Sequence, residues 1–186
     1  MFSQEQIDKL GNAIVYLSDN INKISKTKLL KLIYILDEIS IKKSGIPFFN
    51  LNYKVWKFGP VSSELFVEFS SSPSFLKSFF ERKNDLDGHS YIVSLKKFED
   101  DEFTENEIKL LEFVTNHFKG STTEDLISYT HRENSPWYNA AKNNSVLEDL
   151  TKENINTTDF EVNMKELVEY DSRKTSIYEN YLETCN

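Results

Sequence analysis

The sequence predicts a mainly α fold, in which one compact helical domain surrounds a central apolar helix and carries a small two- or three-stranded β element. Apolar residues recur at helical spacing through most of the 186 residues, whereas only two short stretches alternate as strands do. The segment LLKLIYILDEISI is apolar on nearly every side, which is typical of a helix that other elements surround. No linker rich in Gly, Ser or Pro interrupts the chain, so residues 1–186 are expected to form a single domain.

Local end signals set the bounds of the first predicted helices. An amphipathic helix is predicted over residues 4–18. The central helix is expected to follow Ser25 as its N-cap and to stop at Gly45. A Gly-Pro pair then ends a strand, and Pro60 is predicted to open the next helix, where its missing N–H costs nothing. Residues 75–80 are expected to form another short apolar helix or the continuation of that one.

The second half of the chain is predicted to return to helices. Thr104 and Glu107 fit a capping box, and a Ser-Thr pair at 121–122 supplies the cap of a short helix after it. A helical C-terminal tail is predicted over residues 146–186, because apolar residues between 159 and 182 have helical spacing.

Two stretches have the period of β-strands. Residues 52–58 alternate large apolar with polar side chains, and residues 91–95 follow turn residues at 85–88. These two strands can pair with each other in a small sheet, although nothing in the sequence fixes their register.

Charge is unevenly distributed along the chain, whose formal net charge is −8. Residues 1–60 carry nine Lys and five acidic residues, whereas residues 99–186 carry twenty acidic and eight basic ones. An acidic half of this kind repels nucleic-acid phosphates and attracts a basic partner. Solvated acidic helix faces explain it equally well.

Several features favour a cytoplasmic protein without membrane association. The N-terminus lacks the basic and apolar regions of a signal peptide, and no run approaches the ~18 apolar residues of a membrane span. The one cysteine, Cys185, is unable to form an internal disulfide and is expected to be a solvated tail residue.

The sequence contains no recognisable catalytic or metal-binding motif. His89, His117 and His131 lie far apart, and none is expected to have a second ligand at the spacing of a zinc site. Phosphate-binding glycine loops and a nucleophile elbow are absent. Acidic residues are adjacent at 37–38 and at 100–101, and adjacent side chains on a helix point about 100° apart, so neither pair is expected to form a two-carboxylate catalytic site. Both pairs are expected at helix starts or on solvated faces. We therefore expect no catalytic residue, no cofactor and no metal, and we do not expect an enzyme.

Nucleic-acid binding has one weak basis in the sequence. Lys23, Lys26, Lys28 and Lys31 cluster at the start of the central helix, and aromatic residues that can stack on bases follow it. This helix is too apolar to be the exposed recognition helix of a helix-turn-helix. Direct nucleic-acid binding is therefore not favoured.

Two segments are unusual for a domain without catalytic motifs. YKVWKFGPV at 53–61 is a dense aromatic strand that runs directly into a predicted helix, and HRENSPW occupies 131–137. Each also has a structural explanation: Gly59 for a tight turn, Trp56 for core volume, and the Pro-Trp pair for the start of a helix fixed to the core.

In their order, these segments resemble a known family. The helix KLLKLIYILDE is followed by a connection ending in Gly-Ile-Pro at 45–47, then by WKFGPVSSEL, and much later by a short helix with THRENSPW. This arrangement is similar to that of the Panacea domain, also called the SocA-like antitoxin domain. The resemblance covers residues 4–142, which is most of the chain.

The resemblance implies a mainly helical antitoxin domain. Such a protein neutralises a cognate toxin, encoded by an adjacent gene, through direct protein–protein binding. An alternative is a proteolytic adaptor that delivers its bound protein to an AAA+ protease. A phage-associated protein with the same binding domain, for example from a prophage, is compatible as well, as are homo- and hetero-oligomers. The resemblance implies no catalytic residue.

We predict that partner contact uses the surface formed by the two unusual segments. Exposed aromatic residues would serve as anchors, and the acidic half of the chain would steer a basic toxin. An alternative places the partner elsewhere and assigns both segments to the fold alone. The predicted partner-binding residues are Tyr53, Trp56, Lys57, Phe58, Glu64, His131 and Trp137. The residues of the family pattern that are expected to maintain the fold are Lys28, Lys31, Tyr34, Gly59, Pro60, Val61, Leu65 and Pro136.

Overall fold

Helices form most of the structure, a computed structural model that describes residues 2–184. The helical fraction of 53% confirms the predicted mainly α class. Cys185 lies outside the described residues. None of the described helices is long and apolar enough to span a membrane. The helices are α1 (Gln4–Asn20), α2 (Lys26–Ser44), α3 (Ser63–Ser70), α4 (Glu105–Phe118), α5 (Thr123–His131), α6 (Pro136–Asn143), α7 (Leu147–Thr151) and α8 (Ser172–Thr184), with a 3-10 helix at Met164–Leu167. The strands are β1 (Lys54–Trp56), β2 (Gly59–Val61), β3 (Phe80–Asn84) and β4 (Ser90–Ser94).

The predicted central helix, α2, is the element that the others surround. It contacts α3, α4, α5, α8 and β2, and nearly every side chain from Leu29 to Ile41 is buried. The Ser25 hydroxyl accepts the N–H of Lys28 at its start, and Gly45 ends it with a left-handed φ of 79°. Both predicted end signals are therefore confirmed. Because its aliphatic side chains are buried away from water on every side, this helix forms the centre of the hydrophobic core.

The helix starts predicted in the second half are also confirmed. Thr104 and Glu107 cap each other's backbone at the start of α4. Thr122 caps α5 through a second reciprocal pair, with Asp125 in the position of the Glu. These helix starts could be predicted from the sequence because each capping box involves residues only three positions apart.

The β structure differs from the prediction in its pairing. The two predicted strands do not pair with each other, because β1 pairs with β2 and β3 with β4 in two separate antiparallel hairpins. Pro60 does not open a helix: it lies in β2 opposite Val55, and α3 begins at Ser63. Proline is tolerated there because it lacks a backbone N–H, and on an edge strand not every N–H has to donate a hydrogen bond to a neighbouring strand. Residues 75–79 form bends and turns rather than a helix, and Phe80 is the first residue of β3.

The C-terminal tail is only partly helical. Residues 152–163, hereafter segment 152–163, are largely irregular and pass along the outer edge of β1. The N–H of Val55 donates to the carbonyl of Phe160 at 2.9 Å, and the N–H of Val162 donates to the carbonyl of Tyr53 at 2.7 Å. Backbone pairing with a distant strand thus replaces the helix that was predicted for this part of the tail.

Candidate protein-binding surface

The two unusual segments of the sequence lie against each other. Trp137 donates its indole N–H to the carbonyl oxygen of Trp56 at 3.0 Å. The ring of His131 stacks on the ring of Trp137, with centroids 3.7 Å apart and planes 4° from parallel. Ser135 caps α6 and Pro136 occupies its first position, so the helix start fixes where the indole points. The structure thus joins segment 131–137 to the hairpin formed by residues 54–61.

The inner side of the 54–61 hairpin packs closely on α2 and α5. Gly59 has a φ of +101°, and a Cβ there would lie 2.6 Å from Thr130 Oγ1 and 3.1 Å from Lys31 Nζ. The fully buried Lys31 Nζ donates to the carbonyl of Pro60 at 3.0 Å. Burial lowers the pKa of Lys31 to about 7, because the charged form loses its hydration. Glycine is therefore required both by its φ and by the closeness of the neighbouring side chains.

The surroundings of His131 favour its neutral form. Burial and, second, the nearby cation of Lys31 lower the pKa of His131 to about 4. Its Nε2 is buried and has no hydrogen-bond partner among the residues described. A neutral ring tolerates such a site far better than a cation does. His131 is therefore a packing residue that stacks on Trp137.

The adjacent acidic residues of α2 are buried, so the expectation that they lie on a solvated face is wrong. Asp37 accepts hydrogen bonds from the backbone N–H of Phe49 at 2.6 Å and from the hydroxyl of Tyr53 at 2.7 Å. Burial raises the pKa of Asp37, and these hydrogen bonds oppose that change. Glu38 forms an ion pair with Arg132 of segment 131–137. All these partners are distant in sequence, which is why local spacing did not reveal them.

The predicted partner-binding residues differ widely in exposure. Phe58 is 53% exposed at the turn of the hairpin, and Glu64 is exposed at the start of α3. Tyr53 and Trp137 are each only 2% exposed, and their polar atoms are engaged with Asp37 and the Trp56 carbonyl. The prediction that these two are accessible contacts is therefore corrected. Half-buried are Trp56, Lys57 and His131.

The residues assigned to the fold make specific internal contacts. Lys28 donates its Nζ to the carbonyls of Lys119 at 2.9 Å and Ser121 at 2.6 Å, which satisfies acceptors at the C-terminal end of α4. The ring of Tyr34 packs edge-on against that of Tyr53, with centroids 5.0 Å apart. Also buried are Lys31, Gly59, Pro60, Val61, Leu65 and Pro136.

A group of metal-ligand side chains occurs in the turn between β3 and β4, away from this surface. Asp85, Asp87 and His89 place one ligand atom each within 4.8 Å of one another. The expectation that His89 has no ligand at suitable spacing overlooked these two acidic residues. Asp85 already accepts the backbone N–H groups of Asp87 and His89 and pairs with Lys23. Its carboxylate is therefore engaged within the turn and with a cation.

The fold and this surface define a mainly helical domain in which a buried central helix supports a hairpin with an exposed aromatic tip. The family described as antitoxin SocA-like, Panacea domain, matches residues 29–138. Because this match covers more than half of the chain, the protein belongs to that family. The matched part is narrower than the 4–142 of the sequence resemblance and leaves out α1 and segment 152–163. No curated protein and no solved structure shows a significant match.

Proposed function

We propose that this protein is an antitoxin that neutralises a cognate toxin by direct protein–protein binding. The observation that carries the proposal is the family match over residues 29–138. It acts in the cytoplasm, and its mechanism is binding without a catalytic step. The structure supports a binding role through a hairpin that is fixed on its inner side and presents the half-exposed Phe58 on its outer side.

The toxin contact is placed on the accessible part of the surface predicted from the sequence. Phe58 and Glu64 are exposed there, and Lys57 is half-buried between them and segment 152–163. The buried Tyr53 and Trp137 act indirectly, because their hydrogen bonds hold the hairpin in position. Interface hot spots are typically aromatic or cationic side chains near the centre of a contact, and this surface offers both.

The test of the function is co-expression with the product of the adjacent gene. That product alone is expected to arrest growth, and this chain is expected to restore growth and to co-purify with it. Continued arrest while both proteins are soluble and abundant would contradict the proposal. An immunoblot of the toxin, in strains with and without AAA+ proteases, separates blocking from adaptor-driven degradation. A constant toxin level is expected if neutralisation is by binding alone.

The placement of the contact has its own test. Lys57→Ala and Glu64→Ala are both expected to weaken neutralisation. Thermal unfolding should stay nearly unchanged in Glu64→Ala, whose side chain is exposed, and fall only slightly in Lys57→Ala, which loses an ion pair with the largely exposed Glu153. Lys109→Ala and Glu112→Ala, two exposed positions on α4, serve as matched controls and are expected to neutralise as well as the wild type. If both Lys57→Ala and Glu64→Ala neutralised the toxin as well as the wild type, the toxin would not bind at this surface. The proposed antitoxin function itself would not be contradicted.

A further inference from the structure

A small apolar groove lies beside the exposed tip of the 54–61 hairpin. It has a volume of about 200 Å³ and lies between α2, the hairpin, α3 and segment 152–163. Sites for small molecules usually start at roughly 300 Å³, so this groove fits one or two side chains better than a metabolite. Its apolar lining comes mainly from Leu30, Trp56, Phe58, Val61 and Phe66. We call it the Phe58 groove.

The walls of the Phe58 groove are held in place without a partner. The N–H of Lys57 donates to the carbonyl of Asn156 at 2.8 Å, and its Nζ pairs with Glu153 at 3.0 Å. The rings of Trp56 and Phe66 pack edge-on with centroids 4.9 Å apart. A preformed site loses little conformational entropy when a partner binds, which favours affinity.

Apolar surface at the groove remains in contact with water. Phe58 is 53% exposed. An exposed aromatic ring beside an apolar concave site is typical of a surface that a partner covers. Covering it would bury further apolar area beyond the groove itself.

Two cations lie beside the Phe58 groove, although the chain as a whole carries −8. The Nζ of Lys26 lies 4.2 Å from the ring centroid of Phe66, and Arg82 is close enough to add to the burial effect that lowers the pKa of Lys26. Within residues 2–184, neither Lys26 nor Arg82 has a carboxylate at ion-pair distance. The complementary charge on a partner is therefore negative.

We propose that the Phe58 groove binds a bulky apolar side chain that projects from an acidic segment of the protein partner. This inference rests on the proposed function, because it assigns a docking site and a partner chemistry to the same binding activity. It reverses, for this surface, the expectation that the partner is basic. A nucleic-acid base stacked on Phe58 is disfavoured, because the lining of the concave site is mostly apolar and offers few polar groups to a base edge.

The experiment selects random peptides, displayed on phage, against the full chain. Enrichment of an aromatic or large aliphatic residue flanked by Asp or Glu is expected. The enriched peptide is then synthesised, and its dissociation constant is measured by calorimetry for each variant. Phe58→Ala and Lys26→Glu are each expected to weaken binding about tenfold, which is more than most interface residues lose on substitution. Higher salt is expected to weaken binding further, since the charged contact lies near the surface.

The chain offers a matched control on α4. Phe113 is 49% exposed, and Lys43 Nζ lies 5.1 Å from its ring centroid, which repeats the arrangement of aromatic and cation at a second place. Phe113→Ala and Lys43→Glu are expected to change binding less than about twofold. Circular dichroism checks that all four variants fold.

Several results would overturn the groove proposal without touching the antitoxin function, which growth rescue tests separately. They are a selection that enriches nothing, enrichment of basic or wholly polar peptides, and equal binding by the Phe58→Ala variant. Tighter binding of a single-stranded oligonucleotide than of the enriched peptide, lost in the same variant, would reassign the groove to nucleic acid.

Discussion

The 54–61 hairpin has an inner side, which packs on α2, α5 and α6, and an outer side, where Phe58 borders the Phe58 groove. On the inner side Gly59 has no room for a methyl group, and the carbonyls of Pro60 and Trp56 accept buried donors. On the outer side Phe58 is half exposed. One short stretch of sequence thus contributes to folding through one side and presents a free surface on the other. Substitutions on the two sides should therefore separate stability from binding.

The largest expected effect is on the inner side, at Gly59. Gly59→Ala is expected to lower the free energy of unfolding by about 3 kcal/mol, because a positive φ and a Cβ 2.6 Å from Thr130 Oγ1 both oppose it. Urea unfolding followed by circular dichroism measures this change.

Two other glycines separate the two causes. Gly88 has a φ of +84° and open space around its Cβ position, so Gly88→Ala isolates the backbone effect and is expected to cost about 1 kcal/mol. Gly120 has open space and no positive φ, so Gly120→Ala is expected to be nearly neutral or slightly stabilising. If Gly59→Ala cost no more than Gly88→Ala, the close packing of the inner side would be refuted.

The next largest expected effect is a loss of stability at acidic pH. The pKa of His131 is lowered from 6.5 in the unfolded chain to about 4 in the fold, so the unfolded state binds the proton more tightly. Stability should therefore fall as the pH drops from about 6.5 to about 4, by about 2 kcal/mol after allowance for partial solvent screening. His131→Phe should remove this part of the decline in a series of urea titrations. A variant that declines as steeply as the wild type would contradict the assignment.

A smaller effect distinguishes the two tryptophans of the hairpin region. Trp137→Phe removes the donor to the Trp56 carbonyl from a side chain that is only 2% exposed, and is expected to cost about 1–2 kcal/mol. Trp56→Phe removes a donor to the carbonyl of Thr158 at 3.2 Å in a half-buried place, and is expected to cost less than about 1 kcal/mol. Thermal unfolding of both variants, side by side, tests whether the inner side contributes more to stability.

Much of the fold was predictable because its signals are local. Helix starts at Ser25, Thr104 and Thr122 depend on residues within one turn, and the apolar run of α2 indicates its central position. The pairing of β1 was missed because Gly59-Pro60 has the composition of a chain break and Pro60 that of a helix start. In the structure these residues pair with β1 and pack against Lys31 of α2 and Thr130 of α5, contacts that lie outside the local sequence.

The candidate surface was predictable in its location but not in its orientation. The sequence identified the two segments that meet through Trp137 and the Trp56 carbonyl. Which aromatic residues face inward depends on partners far along the chain, such as Asp37 for Tyr53. Segment 152–163, which lines one side of the Phe58 groove, was predicted to be part of a helical tail. Its backbone pairing with β1 joins residues far apart in the sequence, so local patterns do not show it.

The smallest expected effect on stability is on the outer side. Phe58→Ala should change the free energy of unfolding by less than about 0.5 kcal/mol, since the ring is 53% exposed and its contact with Lys57 Nζ, at 4.8 Å, is weak in water. Phe113→Ala, at similar exposure on α4, provides the reference value in the same urea titration. A loss well above that reference would make Phe58 part of the fold, and a loss of peptide binding in this variant would then reflect unfolding. An unchanged stability, together with weakened binding, would show that the outer side of the hairpin is free to serve a partner.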